Sequence, residues 1–168
     1  MRTSQLESLG ATKQFQQDIC EALTQSPMFS ELSWQELETL SAYMAGYGAP
    51  AGTTLFQEGD PGDTMGLLIS GEIAVRKEDD AGEMQLVATI PHGRTFGEMA
   101  VIDGERRSAS CTATSDCIIA VLPKAQFENL IAHHPGLGIK FLVRLNKQMS
   151  QRLRLASGIL VDYLGKEQ

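Results

Sequence analysis

The residues best able to do chemistry lie in one stretch, Phe96-Gly97-Glu98-Met99-Ala100-Val101-Ile102-Asp103-Gly104-Glu105-Arg106-Arg107-Ser108-Ala109-Ser110. A strand is expected to end near Phe96, and Gly97 lets the backbone come close to a bound group. Glu98 to Ile102 suits a single helical turn, whose unpaired N–H groups and dipole favour an anion at its start. Arg107 follows after a loop through Asp103-Gly104. If that loop folds back, a guanidinium reaches the same amides, and arginine grips a phosphate through two parallel hydrogen bonds. An ionised Glu98 only accepts, so it asks for a hydroxyl donor. A phosphate and a free hydroxyl side by side describe a nucleotide. A 3′,5′-cyclic nucleotide fits, because its phosphate ring leaves only the ribose 2′-hydroxyl free. Taken singly, each residue has a commoner structural reading: Gly-Glu pairs are frequent, and an exposed arginine pair is ordinarily a solvated loop.

The surrounding chain reads helix, then strands, then helix. Residues 11–24 suit an amphipathic helix with Phe15, Ile19, Ala22 and Leu23 on one side, interrupted at Pro27. Ser33-Trp34-Gln35-Glu36 is a capping box opening a second helix, with Trp34, Leu37, Leu40 and Met44 as its apolar face. From about 46 to 122, short apolar runs follow one another: Thr53–Phe56, Met65–Ile69, Ile73–Arg76, Leu86–Ile90 and Cys117–Leu122. Turn chemistry separates them, in Glu58-Gly59-Asp60-Pro61-Gly62-Asp63, Ser70-Gly71-Glu72 and Asp79-Asp80-Ala81-Gly82. Many short strands at close spacing predict a small antiparallel barrel, roll or sandwich.

Pro123-Lys124-Ala125 opens a helix carrying Phe127, Leu130 and Ile131, and Pro135-Gly136 breaks it. A long helix over 136–164 follows, about 43 Å at ~1.5 Å per residue. Leu142, Leu145, Met149, Leu153, Ala156, Leu160 and Tyr163 step along it by three or four, a heptad-like seam. The seam packs either on its own domain or in a dimer; the helix looks too long for a small roll to cover, which favours a homodimer. The expected fold class is α+β, mainly β: an antiparallel β-roll or jelly-roll barrel flanked by N-terminal helices and a long C-terminal helix. The expected segments are 1–45 (helical), 46–122 (the roll, with the cassette at 96–110) and 123–168 (C-terminal helices).

Composition narrows the function classes. The 168 residues carry a net charge of −7, whereas a duplex-DNA binder needs a basic face to displace counterions. Residues 140–168 hold six basic against two acidic side chains, a local +4 that leaves −11 on the remainder. That excess reads as a solvated helix surface, or else as a docking face for an acidic partner. No window approaches the ~20 apolar residues of a membrane span, and the first residues lack a secretory core, so a cytoplasmic protein without membrane contact is expected. Cys20, Cys111 and Cys117 form no CxxC pair and read as small apolar residues. His92, His133 and His134 form no spaced ligand set, so no metal site and no cofactor are expected. Nothing resembles a nucleophile–base pair or a paired-carboxylate site, so the chain does not read as an enzyme.

Phe96-Gly97-Glu98-Met99-Ala100 and Arg107-Ser108-Ala109 resemble the phosphate-binding cassette of the cyclic-nucleotide-binding domain family, which runs Phe-Gly-Glu-(Leu or Met)-Ala, a variable loop, then Arg-x-Ala. Glu58-Gly59-Asp60 and Gly71-Glu72 fall where that family places its turn glycines, and Phe29-Ser30-Glu31-Leu32-Ser33 is similar to its helical entry. The resemblance covers residues 25–164. It implies that Glu98 binds the ribose 2′-hydroxyl. It implies that Arg107, two residues before Ala109, binds the phosphate with the backbone of Gly97, Met99 and Ala100 and with Ser108, while Arg106 is an exposed neighbour. In the catabolite activators of the family, a Thr-Ser pair on the long helix contacts adenine, one residue from each subunit of a dimer. Here Ala156 stands at the Thr and Ser157 at the Ser, which leaves cAMP and cGMP both open as ligand; Ser108 and Ser110 are candidates to assist guanine.

The implied function is a cyclic-nucleotide-binding regulatory sensor that signals to an unknown downstream protein through movement of its C-terminal helix. The alternatives are a dimerisation or docking module that has lost nucleotide binding, and the sensor part of a longer transcription regulator. As it stands the chain is not expected to bind specific DNA, since only four residues follow Leu164.

Overall fold

The computed structural model describes residue 1, residues 6–10 and residues 13–165; the side chains of Asp162 and Tyr163 are outside the described set. The elements run β1 (Glu7–Gly10), α1 (Lys13–Gln25), a 3₁₀ turn (Pro27–Phe29), α2 (Trp34–Ser41), β2 (Ala45–Ala49), β3 (Thr54–Phe56), β4 (Thr64–Ser70), β5 (Ile73–Glu78), β6 (Met84–Ile90), β7 (Thr95–Phe96), α3 (Glu98–Asp103), β8 (Ser110–Ala113), β9 (Cys117–Pro123), α4 (Lys124–His133) and α5 (Pro135–Leu164). The strands pair antiparallel in two sheets, β1-β2-β9-β4-β7 and β3-β8-β5-β6. The mainly-β α+β class with flanking helices is borne out; the strands form two facing layers, not a closed barrel.

Two cores hold these layers. Leu55, Phe56, Leu68, Ile73, Phe96, Cys111 and Ile119 fill the space between the sheets. Ile19, Leu23, Phe29, Leu40, Phe127, Phe141 and Leu145 pack the helices onto the five-stranded sheet, so N- and C-terminal helices share one core. Phe141 sits between Phe29 and Phe127, with ring centroids 5.7 and 5.8 Å away.

The capping box of α2 forms on both sides: Glu36 N–H donates to Ser33 Oγ and Ser33 N–H to Glu36 Oε2. Trp34 departs from the expected apolar face. It is 45% exposed, and its indole N–H donates to Glu38 Oε1 at 2.8 Å on the outer side of the helix. The predicted start of α1 at residue 11 lies outside the described residues. α5 starts at the Pro135-Gly136 break as expected, but its domain-facing side is Leu137, Phe141, Leu145 and Gln148, all buried. Of the predicted seam, Leu145 is buried in the helical core and Leu142 packs against it, whereas Leu153, Ala156 and Leu160 are exposed. The Tyr163 side chain is outside the described residues. No helix among the described residues is long and apolar enough to cross a membrane.

Candidate functional site

β7 leads into α3 through Gly97, the N-cap, at φ +69°. That left-handed conformation suits glycine, and a Cβ here would come within 2.6 Å of Arg107 Nη1. Gly62 lets its loop lie directly on α3, since a Cβ there would stand 2.1 Å from the Ala100 Cβ. The same loop is sewn to the backbone of the arginine: Gly59 N–H donates to the Arg107 carbonyl at 2.8 Å and Arg107 N–H to the Asp60 carbonyl at 2.9 Å.

Arg107 is 3% exposed. Its Nη1 donates to the Gly97 carbonyl at 2.7 Å. Its Nη2 donates to the Thr64 carbonyl at 2.7 Å and to Thr64 Oγ1 at 3.2 Å. The guanidinium carbon lies 4.2 Å from the centre of the Phe56 ring, an arrangement that fixes its plane. Burial lowers its pKa, with Asp63 foremost among the charges opposing that shift. Arg106, by contrast, is exposed and donates to the Gly59 carbonyl on the outer surface.

Glu98 is 1% exposed. Its carboxylate meets a group that the sequence reading gave no role, Arg152 of α5, whose Nη1 donates to Glu98 Oε1 at 2.5 Å and whose Nη2 donates to the Thr95 carbonyl at 2.6 Å. Burial raises the Glu98 pKa and the Arg152 charge opposes the rise. Among the described residues, Glu98 Oε2 and Arg107 Nε have no hydrogen-bond partner. Buried polar atoms are nearly always paired, so both mark places where a further group fits.

These groups line one cavity of about 470 Å³, solvent space at its mouth included. Of the residues named from the sequence, Gly97, Glu98, Met99, Ala100, Arg107, Ser108 and Ala109 all line it. Ser157 does not: it is exposed on α5 and its hydroxyl donates to the Leu153 carbonyl at 2.9 Å. Ser110 lies outside the lining as well, and its hydroxyl accepts from Glu58 N–H at 2.9 Å. Phe56, Val75, Ile90, Phe96 and Cys111 make the rest of the wall apolar. Burial pushes the Cys111 thiol up to about 12, so it stays protonated and serves as wall.

Arg152 is the residue that sequence reading missed. Its signal lay in α5, where Lys140, Arg144, Gln148 and Arg152 recur at every fourth position and so share one side of the helix. Its partner Glu98 is 54 residues away in sequence, a distance that only the fold closes. Chemically the arrangement is two guanidiniums and one carboxylate around a half-apolar cavity, suited to a ligand with one anion, one hydroxyl donor and one flat apolar face.

The profile of the family described as "Cyclic nucleotide-binding domain" matches residues 49–134, just over half of the chain. The crystal structure of a cyclic nucleotide-binding domain from Methylobacillus flagellatus is 34% identical, with a TM-score of 0.85 over 97% of this chain and 92% of that one. The catabolite activator protein of Thermus thermophilus is 28% identical, with a TM-score of 0.73 over 83% of this chain and 63% of that one. The cAMP-activated global transcriptional regulator CRP of Salmonella typhimurium is 29% identical over 109 residues, 64% of this chain and 50% of the relative. The chain spans about half the length, or less, of the curated relatives it matches first. With the profile match and the cavity taken together, the chain belongs to the cyclic nucleotide-binding domain family.

Proposed function

We propose that the chain is a non-enzymatic, cytoplasmic sensor that binds cAMP or cGMP and reports occupancy through α5. The observation that carries this reading is the pairing, in one cavity, of a buried Glu98 with an unpartnered carboxylate oxygen and a buried Arg107 with an unpartnered Nε. Glu98 accepts the ribose 2′-hydroxyl. Arg107, the amides at the start of α3 (Met99 and Ala100) and the Ser108 hydroxyl take the cyclic phosphate, with Gly97 and Ala109 closing the wall. Arg152 makes α5 part of the site: the ligand hydroxyl and Arg152 meet at the same carboxylate, so binding and the seating of α5 are linked, and ligand shifts α5 by its differential affinity for the two arrangements.

The exposed apolar side of α5 supports a homodimer through this helix. Such a dimer gives Ser157, which points away from its own cavity, a role at the base held by the partner subunit. Neither a metal nor a cofactor is required. The downstream partner is a protein, and the longer-regulator reading differs only in placing that partner in the same polypeptide.

Isothermal titration with cAMP and with cGMP tests the proposal. Binding at micromolar Kd or tighter, about −8 kcal/mol or better, that weakens at least a hundredfold in Arg107→Ala supports it. Thermal melts of the variant separate lost binding from lost folding. Absence of binding by the folded wild-type chain to either nucleotide overturns it and leaves the docking-module reading.

A further inference from the structure

Part of the anion-facing wall lies beyond the reach of the sheet. β5 and β8 pair from Ile73–Ala113 to Arg76–Ser110. Arg107, Ser108 and Ala109 lie outside that ladder and line the cavity. Arg107 is caught by the 59–60 turn through two backbone hydrogen bonds, and its guanidinium by Gly97 and Thr64. Ser108 is exposed, and its backbone carbonyl is met by a side chain: Lys77 of β5 donates to it through Nζ at 3.1 Å.

Lys77 is itself aimed. Its ammonium lies 2.9 Å from Glu58 Oε1. Glu58 is pinned at both ends: its N–H donates to Ser110 Oγ at 2.9 Å, and its Oε2 accepts from Glu78 N–H at 3.3 Å. The Lys77 ammonium first, and that N–H after it, hold the Glu58 carboxyl below the ordinary glutamate range. The side chains of Lys77 and Glu58 are 54% and 32% exposed, and ion pairs so open to water add little to stability. Fixing a lysine also costs it rotamer freedom. What the pair secures is the direction of one donor, toward Ser108. Neither Lys77 nor Glu58 lines the cavity.

We propose that Lys77, aimed by Glu58, is a positioning residue for the nucleotide phosphate: by holding the Ser108 carbonyl to β5 it keeps Ser108 and the adjoining Arg107 set for the anion. The proposal rests on the reading of Glu98 and Arg107 as the nucleotide site. It adds a residue that acts on the ligand only through Ser108.

Titration calorimetry of the full chain with cAMP and with cGMP tests it, with thermal melts to confirm that each variant folds. Lys77→Met keeps the stem and removes the donor, and should weaken binding about three- to tenfold, the size of one hydrogen bond. Lys77→Arg can still donate to both partners and should stay within about twofold of wild type. The exchange Glu58→Lys/Lys77→Glu separates the ion pair from the donor. It should melt above either single reversal, because opposite charges face each other again. It should bind nucleotide no better than Lys77→Met, because a carboxylate cannot donate to a carbonyl. Unchanged affinity in Lys77→Met, an Lys77→Arg as weak as Lys77→Met, or an exchange that regains wild-type affinity overturns the positioning role and leaves the nucleotide site standing. A folded wild-type chain that binds neither nucleotide overturns the site and the positioning role with it.

Discussion

α5 is one helix in two environments. Its first half is held by the domain through contacts at every fourth residue: Lys140 to Glu36, Arg144 to Glu31, Gln148 to Thr95, and Arg152 to Glu98 and Thr95. Leu137, Phe141 and Leu145 lie buried along the same half. Beyond Arg152, every residue from 153 to 161 is exposed. The last rung of the docked half is also a wall of the cavity, so the boundary between held and free helix falls at the site. A helix fastened beside the cavity and bare beyond it fits the proposed role of α5 in reporting occupancy.

The largest expected difference between the halves is in stability. Phe141→Ala should cost about 3–5 kcal/mol in denaturant unfolding, the loss typical of a buried phenylalanine. Leu160→Ala, measured at a concentration where the chain is monomeric, should stay within about 0.5 kcal/mol, as exposed substitutions do. Equal losses would dissolve the distinction between the halves.

Next in size is Glu98, where the helix and the cavity meet. Glu98→Gln removes a charge-assisted acceptor worth about 1.5–3 kcal/mol, and titration calorimetry should show nucleotide binding weaker by about tenfold to a hundredfold. The raised pKa fixes the pH dependence. Affinity should be full while the carboxylate is ionised and fall as pH drops through its folded pKa, beginning above the ordinary glutamate range. Stability runs the other way. Because the folded state holds this proton more tightly than the unfolded one, Glu98 contributes most below the unfolded pKa, and that contribution is lost as pH rises through the folded value. Glu98→Gln should flatten both profiles.

Arg152→Ala sharpens the same point by removing the charge that holds the Glu98 pKa down. The acid limb of the binding curve should move to higher pH, a readout that a purely structural arginine would leave in place. Among the rungs of the docked half the smallest effect belongs to the outermost: Lys140→Ala should cost no more than about 1 kcal/mol in unfolding, less as salt rises, as surface ion pairs do.

Parts of this were legible in the sequence for identifiable reasons. The cassette is local: Gly97, Glu98 and Ala100 stand together and Arg107 follows one short loop later, so residue types suggested a shared ligand and the resemblance of the ordered set to a known cassette assigned their roles. The capping box at Ser33 and the break at Pro135 are local signals too. What escaped depends on distant pairing. β2 reads Ala-Gly-Tyr-Gly-Ala, poor strand chemistry, and is a strand because β1 and β9 bracket it. Gly46 is there because the Phe15 ring would lie 1.9 Å from a Cβ. Trp34 sits at an apolar helical spacing yet faces outward, because Glu38 offers its indole a partner one turn on. Arg152 looked like one more surface charge on a basic helix until the fold brought β7 and α3 beneath it.

Limited trypsin digestion with and without saturating cyclic nucleotide tests the link between cavity and helix most directly, because Lys147, Arg152 and Arg154 are cleavage points spanning the boundary. Nucleotide should change cleavage at Arg152 and Arg154 at least threefold, while cleavage at Lys13, exposed at the start of α1 and outside the cavity lining, stays constant. Identical cleavage of α5 with and without bound nucleotide would contradict it.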